Sequence, residues 1–192
     1  MPLPSVPPVN SRTVIPGRAR RLGDDINTDY IISSRRKKDT LDGNILRRHL
    51  LEDLDPGFAA TVQDGDILVA GHNFGCGSAM EVAVTVVLAA GIRVVVARSF
   101  ARTYWRNAVN NGLLLITANT DALHDTVREG DPIEIHLAGT HATLHAGDDM
   151  ARVIPCEPVP EIVLTIRDAG GLVPYLRRHR RFIQAPGMDA AA

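Results

Sequence analysis

The chain is poor in cysteine: its 192 residues include two, Cys76 and Cys156. Two cannot build a disulfide framework, and a chain of this length does not need one. Nor can two supply the three or four thiolates that an iron–sulfur cluster normally takes. No charge of either sign dominates. The 21 Lys+Arg and 22 Asp+Glu leave a net −1, so no global field favours nucleic acid or an anionic membrane as partner. No apolar run reaches the roughly 18–20 residues of a membrane span. The opening MPLPSVPPVN lacks the basic-then-apolar order of a signal peptide. These absences predict a soluble cytosolic chain. What is present, 45% hydrophobic and 22% charged residues, is ordinary for one globular domain.

Residues 1–17 carry five prolines and no periodicity, which predicts a loose arm; residues 184–192 read as a frayed tail, leaving 18–183 as the domain. Within it, Asp66–Gly71, Ile92–Ala97 and Leu113–Thr117 are short apolar runs that read as buried strands. Ala79–Ala90 between the first two is long enough for a buried helix, although Val-Thr-Val-Val lowers its propensity. Arg102–Asn110 and Asp121–Arg128 read as further helices. Strands alternating with helices imply parallel pairing through right-handed crossovers. Pro132–Leu137 and Thr140–His145 then alternate around Ala138-Gly139 as a hairpin, and Pro160–Asp168 and Leu172–Arg181 close the domain as two helices. The expectation is one mixed α/β domain with a parallel core and an antiparallel appendage.

Chemistry concentrates in two segments. Gly71-His72-Asn73-Phe74-Gly75-Cys76-Gly77-Ser78 lies between a predicted strand and a predicted helix. Its glycines permit positive φ and close backbone approach. Ser78 falls where an N-cap would sit, and free N–H groups there bind anions. A simple helix cap after a tight turn fits the same spacing. Cys76 beside a helix terminus reads either as a reactive thiol or as small-residue packing. Ser78 is not followed by x-Gly and no Lys follows the glycines, which excludes a nucleophile elbow and a P-loop. The second segment, Gly23 to Ile32, holds Asp24, Asp25 and Asp29. It reads either as a cation or orienting site or as an Asx-rich turn before a strand Tyr30–Ile32. Arg35-Arg36-Lys37-Lys38 is a loop that grips an anion or a solvated charge run. With aromatics at 4%, it lacks the interleaved rings of a nucleic-acid patch. Among the seven histidines, His141 and His145 share a strand face without metal-ligand spacing.

Four ordered blocks resemble the small subunits of 3-isopropylmalate dehydratase, the stand-alone swivel domain of the aconitase superfamily. They are GDDINTDYII at 23–32, GHNFGCGSAMEVAV at 71–84, ARSFARTYWRNAVNNGLLLI at 97–116 and AGGLVPYLRRH at 169–179. The resemblance implies a single swivelling β/β/α domain. It implies a large-subunit partner that holds a [4Fe-4S] cluster, with no cofactor bound by this chain. The implied reaction removes and re-adds water on a small 2-hydroxy diacid, the iron taking the hydroxyl as a Lewis acid. A serine alkoxide matching Ser78 takes the carbon-bound proton. A helix terminus contributes about 0.3–1, at most about 2, kcal/mol, whereas each unit of pKa lowering requires about 1.36 kcal/mol. Further stabilisation is therefore expected from the N–H groups of Ala79 and Met80, and from the docked partner and substrate.

The family pattern Ser-Ser-Arg-Glu-His reads Ser78-Ala79-Met80-Glu81-Val82 here. Met80 thus replaces an arginine that would grip a substrate carboxylate. Arg36, Lys37 and Lys38, in the position of the family's substrate-recognition loop, are expected to carry that binding or to mark a different substrate. Thr28 and Asp29 match the family's Thr-Asp pair and, with Gly75, Cys76, Gly77 and Glu81, are expected to support the site. Ser99, Arg102 and Asn107 match a structural block. The alternatives are a paralogue for another alkylmalate, citramalate or homoaconitate, a non-catalytic regulatory subunit, and nucleic-acid binding through residues 35–38.

Overall fold

A computed structural model describes residues 12–36 and 42–179. Seven strands form one sheet: β1 (Arg12–Arg21), β2 (Ile67–Ala70), β3 (Val94–Ala97), β4 (Leu114–Thr117), β5 (Pro132–Ala138), β6 (His141–Ala146) and β7 (Arg152–Pro155). Their order is β4-β3-β2-β1-β5-β6-β7. Pairs from β1 to β4 are parallel; pairs from β1 through β5 and β6 to β7 are antiparallel. The helices are α1 (Thr28–Ile31), α2 (Gly43–Leu46), α3 (Phe58–Thr61), α4 (Val82–Ala89), α5 (Arg102–Asn111), α6 (Ala122–Thr126), α7 (Glu161–Asp168) and α8 (Leu172–His179). Among the described residues no helix is long and apolar enough to cross a membrane.

The continuous apolar runs of β2, β3 and β4 arise because both their faces are covered. Leu68, Ala70, Val95, Ala97 and Leu115 face one cluster, roofed by Ile31, Leu46, Phe58, Val84 and Tyr104 of α1 to α5. Ile67, Val69, Val94, Val96 and Ile116 face the other. That second face is covered by the inner side of β5 to β7 (Ile133, Ile135, Leu144, Ile154) with Leu123 of α6 and Val163 of α7. The sheet therefore curls, and its antiparallel half folds over its parallel half. The Glu157 N–H donates to the Thr117 carbonyl at 2.8 Å and ties the far edges together. The outer side of β5 and β6 meets solvent, which gives these strands their strict alternation.

Burial overrides the weak propensity of Val-Thr-Val-Val: Val84, Val86 and Val87 are fully buried in α4. Three expectations are corrected. Arg12–Gly17 is not an arm; it is the first part of β1, registered on β5 from Arg12↔Ala138 to Gly17↔Ile133. Pro16 is tolerated because β2 joins β1 only from Ala19 onward, so Pro16 has a strand neighbour on one side. Tyr30–Ile32 is not a strand, since Asn27 caps α1 there with its side chain accepting from the Asp29 N–H. The buried helix begins at Val82 rather than Ala79. Residues 1–11 and the tail 184–192 lie outside the described residues.

One buried charge network fastens the stem of the parallel half. Asp66, 2% exposed, accepts from Arg18 Nε at 3.0 Å and Nη2 at 2.7 Å, from Arg20 Nη1 at 3.3 Å and from the Gln63 N–H at 3.0 Å. Arg20 also donates to Glu129 at 2.7 Å and lies 4.2 Å over the Phe58 ring. The network joins the middle of β1 to the start of β2.

Candidate active site

Ligands of open α/β sheets bind beyond the carboxyl ends of the strands. Two chain segments leave β1 and β2 at that end and run side by side. Gly71 N–H donates to the Gly23 carbonyl at 3.0 Å, and Asp25 N–H to the His72 carbonyl at 2.8 Å. Gly75 N–H reaches the Ile26 carbonyl, and Thr28 N–H the Cys76 carbonyl, each at 2.8 Å. Two aspartates of the first segment, Asp24 and Asp25, serve this seam. Asp24 accepts from the His72 N–H at 2.6 Å and Asp25 from the Asn73 side chain at 2.8 Å. On the other side the loop after β3 grips the same glycine segment. Asn73 N–H donates to Ser99 Oγ at 2.8 Å, and Phe74 N–H to the Ser99 carbonyl at 3.0 Å. Phe74 is fully buried, edge-on to Phe100 and Tyr104 with centroids 6.1 and 5.2 Å away.

Two glycines are required by this threading. Gly75 has φ +79°, and a Cβ on it would lie 2.2 Å from the Tyr104 side chain. Gly77 has φ +93°, and a Cβ there would lie 2.4 Å from Asn27 Oδ1. Beyond them Ser78 and Ala79 are exposed, Met80 is half-buried and Glu81 is exposed. The Ser78 carbonyl accepts from Thr28 Oγ1 at 3.1 Å and from the Met80 N–H at 2.8 Å. Its hydroxyl has no hydrogen-bond partner among the described residues. Ser78 is not the helix N-cap: Glu81 holds that position without a side-chain cap bond. The macrodipole falls off within the first turn, so it contributes little at Ser78.

The remaining expected residues divide. Asp29, half-buried, accepts from Ser34 Oγ at 2.6 Å. Arg36 donates to Glu52 at 2.9 Å, and Glu52 also bonds His49 at 2.6 Å. Burial raises the Glu52 carboxyl, but the bonds from Arg36 and His49 outweigh it and hold it below its ordinary range. Lys37 and Lys38 lie outside the described residues. The Cys76 thiol is not activated. Burial and then the charge of Asp25 push it above its ordinary value, which favours the packing reading. Cys156 is pushed up to about 11 by burial. His145 stacks on His136 at 3.9 Å between centroids, on the outer side of the antiparallel half. Among the described residues no three His, Cys, Asp or Glu side chains group to hold a metal. With two thiols, on the glycine loop and after β7, the donor set does not fit an iron–sulfur cluster.

Sequence reasoning missed Asn27, Ser34 and Glu52. Asn27 carried a signal: an Asn with an acidic residue two positions on is a helix-start pattern. Ser34 and Glu52 carried none, because their partners are set by tertiary folding.

Comparison with known proteins adds independent findings. The Aconitase C-terminal domain family model matches residues 51–121. The 3-isopropylmalate dehydratase small subunit of Oleidesulfovibrio alaskensis is 45% identical over 84% of this chain and 93% of its own. The methanogen homoaconitase small subunit of Methanocaldococcus jannaschii is 41% identical over 90% and 96%. A crystal structure of 3-isopropylmalate dehydratase from the same organism superimposes with a TM-score of 0.77 at 40% identity, covering 88% of this chain and 96% of that one. Curled sheet, glycine loop and identity over nearly the whole length of these relatives agree, and the chain belongs to the 3-isopropylmalate dehydratase small-subunit family of the aconitase superfamily.

Proposed function

We propose that this chain is the small subunit of a two-chain hydro-lyase that interconverts 2-isopropylmalate and 3-isopropylmalate, a step of leucine biosynthesis, and that Ser78 is its base. Ser78 takes the proton from the carbon beside the hydroxyl-bearing one, and returns it when water is re-added. The observation that carries the reading is the state of Ser78. The residue is exposed and its hydroxyl is unengaged among the described residues, while its carbonyl is held by Thr28 Oγ1 at 3.1 Å. A base needs that combination of a fixed backbone and a free oxygen.

The oxygen is not ionised by its own surroundings. The Met80 N–H is engaged by the Ser78 carbonyl, which leaves the Ala79 N–H as the candidate oxyanion donor. The rest of the activation, and the [4Fe-4S] cluster that this donor set does not suit, are assigned to the large subunit. That subunit also closes the loop off from water. The isolated chain is accordingly inactive. The test is the purified two-chain enzyme assayed with 2-isopropylmalate. Ser78→Ala is expected to lower kcat by about 10³-fold or more, within or above the range of general-base loss. Retained activity in that variant overturns the assignment and supports a scaffolding role.

One observation favours a second substrate. Arg35, Arg36, Lys37 and Lys38 are four cations in succession, and although Arg35 pairs with Asp53 and Arg36 with Glu52, the run suits a carboxylate rather than an isopropyl group. A homoaconitate-type triacid matches that run of charge, and one relative carries the homoaconitase name. A panel of 2-hydroxy acids ranks the two by kcat/KM.

A further inference from the structure

Resting on the reading of Ser78 as base, we infer that Asn27 and Thr28 are its positioning residues: together they clamp the backbone on both sides of Gly77. Loops that end in a flexible polar residue do not hold its oxygen to the sub-ångström tolerance that proton transfer needs. Here the tolerance has a visible source. Thr28 is 1% exposed, so its hydroxyl is not a surface group. It donates to the Ser78 carbonyl at 3.1 Å, while its own N–H donates to the Cys76 carbonyl at 2.8 Å. One residue therefore holds the chain two positions apart, with Gly77 between.

Asn27 fills the space that Gly77 leaves. Its Oδ1 would lie 2.4 Å, and its Nδ2 2.8 Å, from a Cβ on Gly77. The carboxamide thus lies against the Gly77 Cα on the face where any other residue carries a side chain. It is itself fixed, because Oδ1 accepts the Asp29 N–H at 2.9 Å and caps α1. The backbone of Asn27 forms a parallel bridge with Cys76. The result is a three-residue stretch, Cys76 to Ser78, gripped by two side chains from a different strand end. Both side chains are engaged within the fold, the Thr28 hydroxyl on the Ser78 carbonyl and the Asn27 Oδ1 on the Asp29 N–H. Their effect is on where the Ser78 oxygen points.

The experiment uses the assembled two-chain enzyme and the 2-hydroxy diacid it turns over, unlabelled and deuterated at the proton-donating carbon. Thr28→Val keeps the shape and removes the hydroxyl. The expected result is a kcat lower by about 10- to 100-fold, the range for misplacement by about 1 Å. KM stays within about twofold, and the deuterium effect on kcat rises because proton transfer becomes slower relative to other steps. Thr28→Ser restores the hydroxyl and is expected to recover most of kcat. A merely structural Thr28 moves thermal stability and not the isotope effect.

Asn27→Ser supplies the second arm if Thr28→Val does not assemble. It keeps a capping oxygen for the Asp29 N–H and withdraws the carboxamide from Gly77. A several-fold loss of kcat at unchanged KM is expected. Two outcomes overturn the inference. In the first, either Thr28→Val or Asn27→Ser turns over within twofold of the parent. In the second, Thr28→Ser is as slow as Thr28→Val. Ser78→Ala, run alongside, separates the two layers. If it stays active the base assignment falls. If it is dead while Thr28→Val is normal, the clamp alone falls.

Discussion

Replacing Asp66 by Asn keeps the shape of a buried side chain and removes its charge. Arg20, 5% exposed, then loses its buried counter-ion but keeps Glu129 and the Phe58 ring. Breaking a buried pair from one side costs about 3–5 kcal/mol. Because Glu129 remains and the amide oxygen still accepts a bond, the low end, about 3 kcal/mol, is expected. Arg18 is left out of that figure, since solvent screens it. In a chain of this size each kcal/mol moves Tm by about 2–4 °C, so Asp66→Asn is expected to melt about 6–12 °C lower at pH 7. Circular dichroism melts of the purified chain measure this. The pH dependence sharpens the test. Burial raises the Asp66 carboxyl, but the bonds from Arg18, Gln63 and Arg20 prevail and hold it below its ordinary value. A depressed folded pKa gives stability that is complete above the unfolded value of about 3.9 and is lost as pH falls through the folded one. The gap in Tm between parent and variant should therefore close below about pH 4. A drop under about 2 °C at pH 7, or a gap that persists undiminished in acid, refutes the electrostatic account.

Three further outcomes are expected. Gly75→Ala must place a Cβ 2.2 Å from Tyr104 at φ +79°. Left-handed strain of about 1–2 kcal/mol plus overpacking of about 1–3 kcal/mol should lower Tm by about 4–20 °C, read by the same melts. The raised Cys76 thiol should be alkylated by iodoacetamide with a rate midpoint above the free-thiol value of about 8.5, and a midpoint below it contradicts the packing role. Replacing Lys37 and Lys38 by Ala should raise KM for the diacid by about 10²-fold, as expected for lost charged hydrogen bonds; an unchanged KM removes this loop from substrate binding.

The parallel core was legible because β2, β3 and β4 are short runs buried on both faces, a pattern visible without any partner. The hairpin of β5 and β6 was legible from alternation alone. β1 was not, because Pro16 and the four prolines before it suggest a loose segment, and its pairing partners lie far along the chain, where no local pattern records them. β7 reads Arg-Val-Ile-Pro with only Ile154 buried, which leaves no periodicity to find. At the candidate site the glycines and Ser78 stood out in the sequence. The offset between Ser78 and the helix start did not. Ala79, Met80 and Glu81 are good helix formers individually, yet the Met80 N–H turns back to the Ser78 carbonyl and delays α4. The grip of Thr28 on Ser78 joins segments 50 residues apart and becomes visible only in three dimensions.

β1 is made first yet sits in the middle of the sheet, and this bears on biogenesis. Arg12 finds its register against Ala138. At about 5–20 residues per second, a ribosome leaves that strand without its antiparallel mate for roughly ten seconds. Throughout that interval an extended segment with Val14 and Ile15 is open to chaperones, or to the same segment of a neighbouring nascent chain. Folding of this subunit is therefore expected to be gated by the emergence of its second half, and slow for its size.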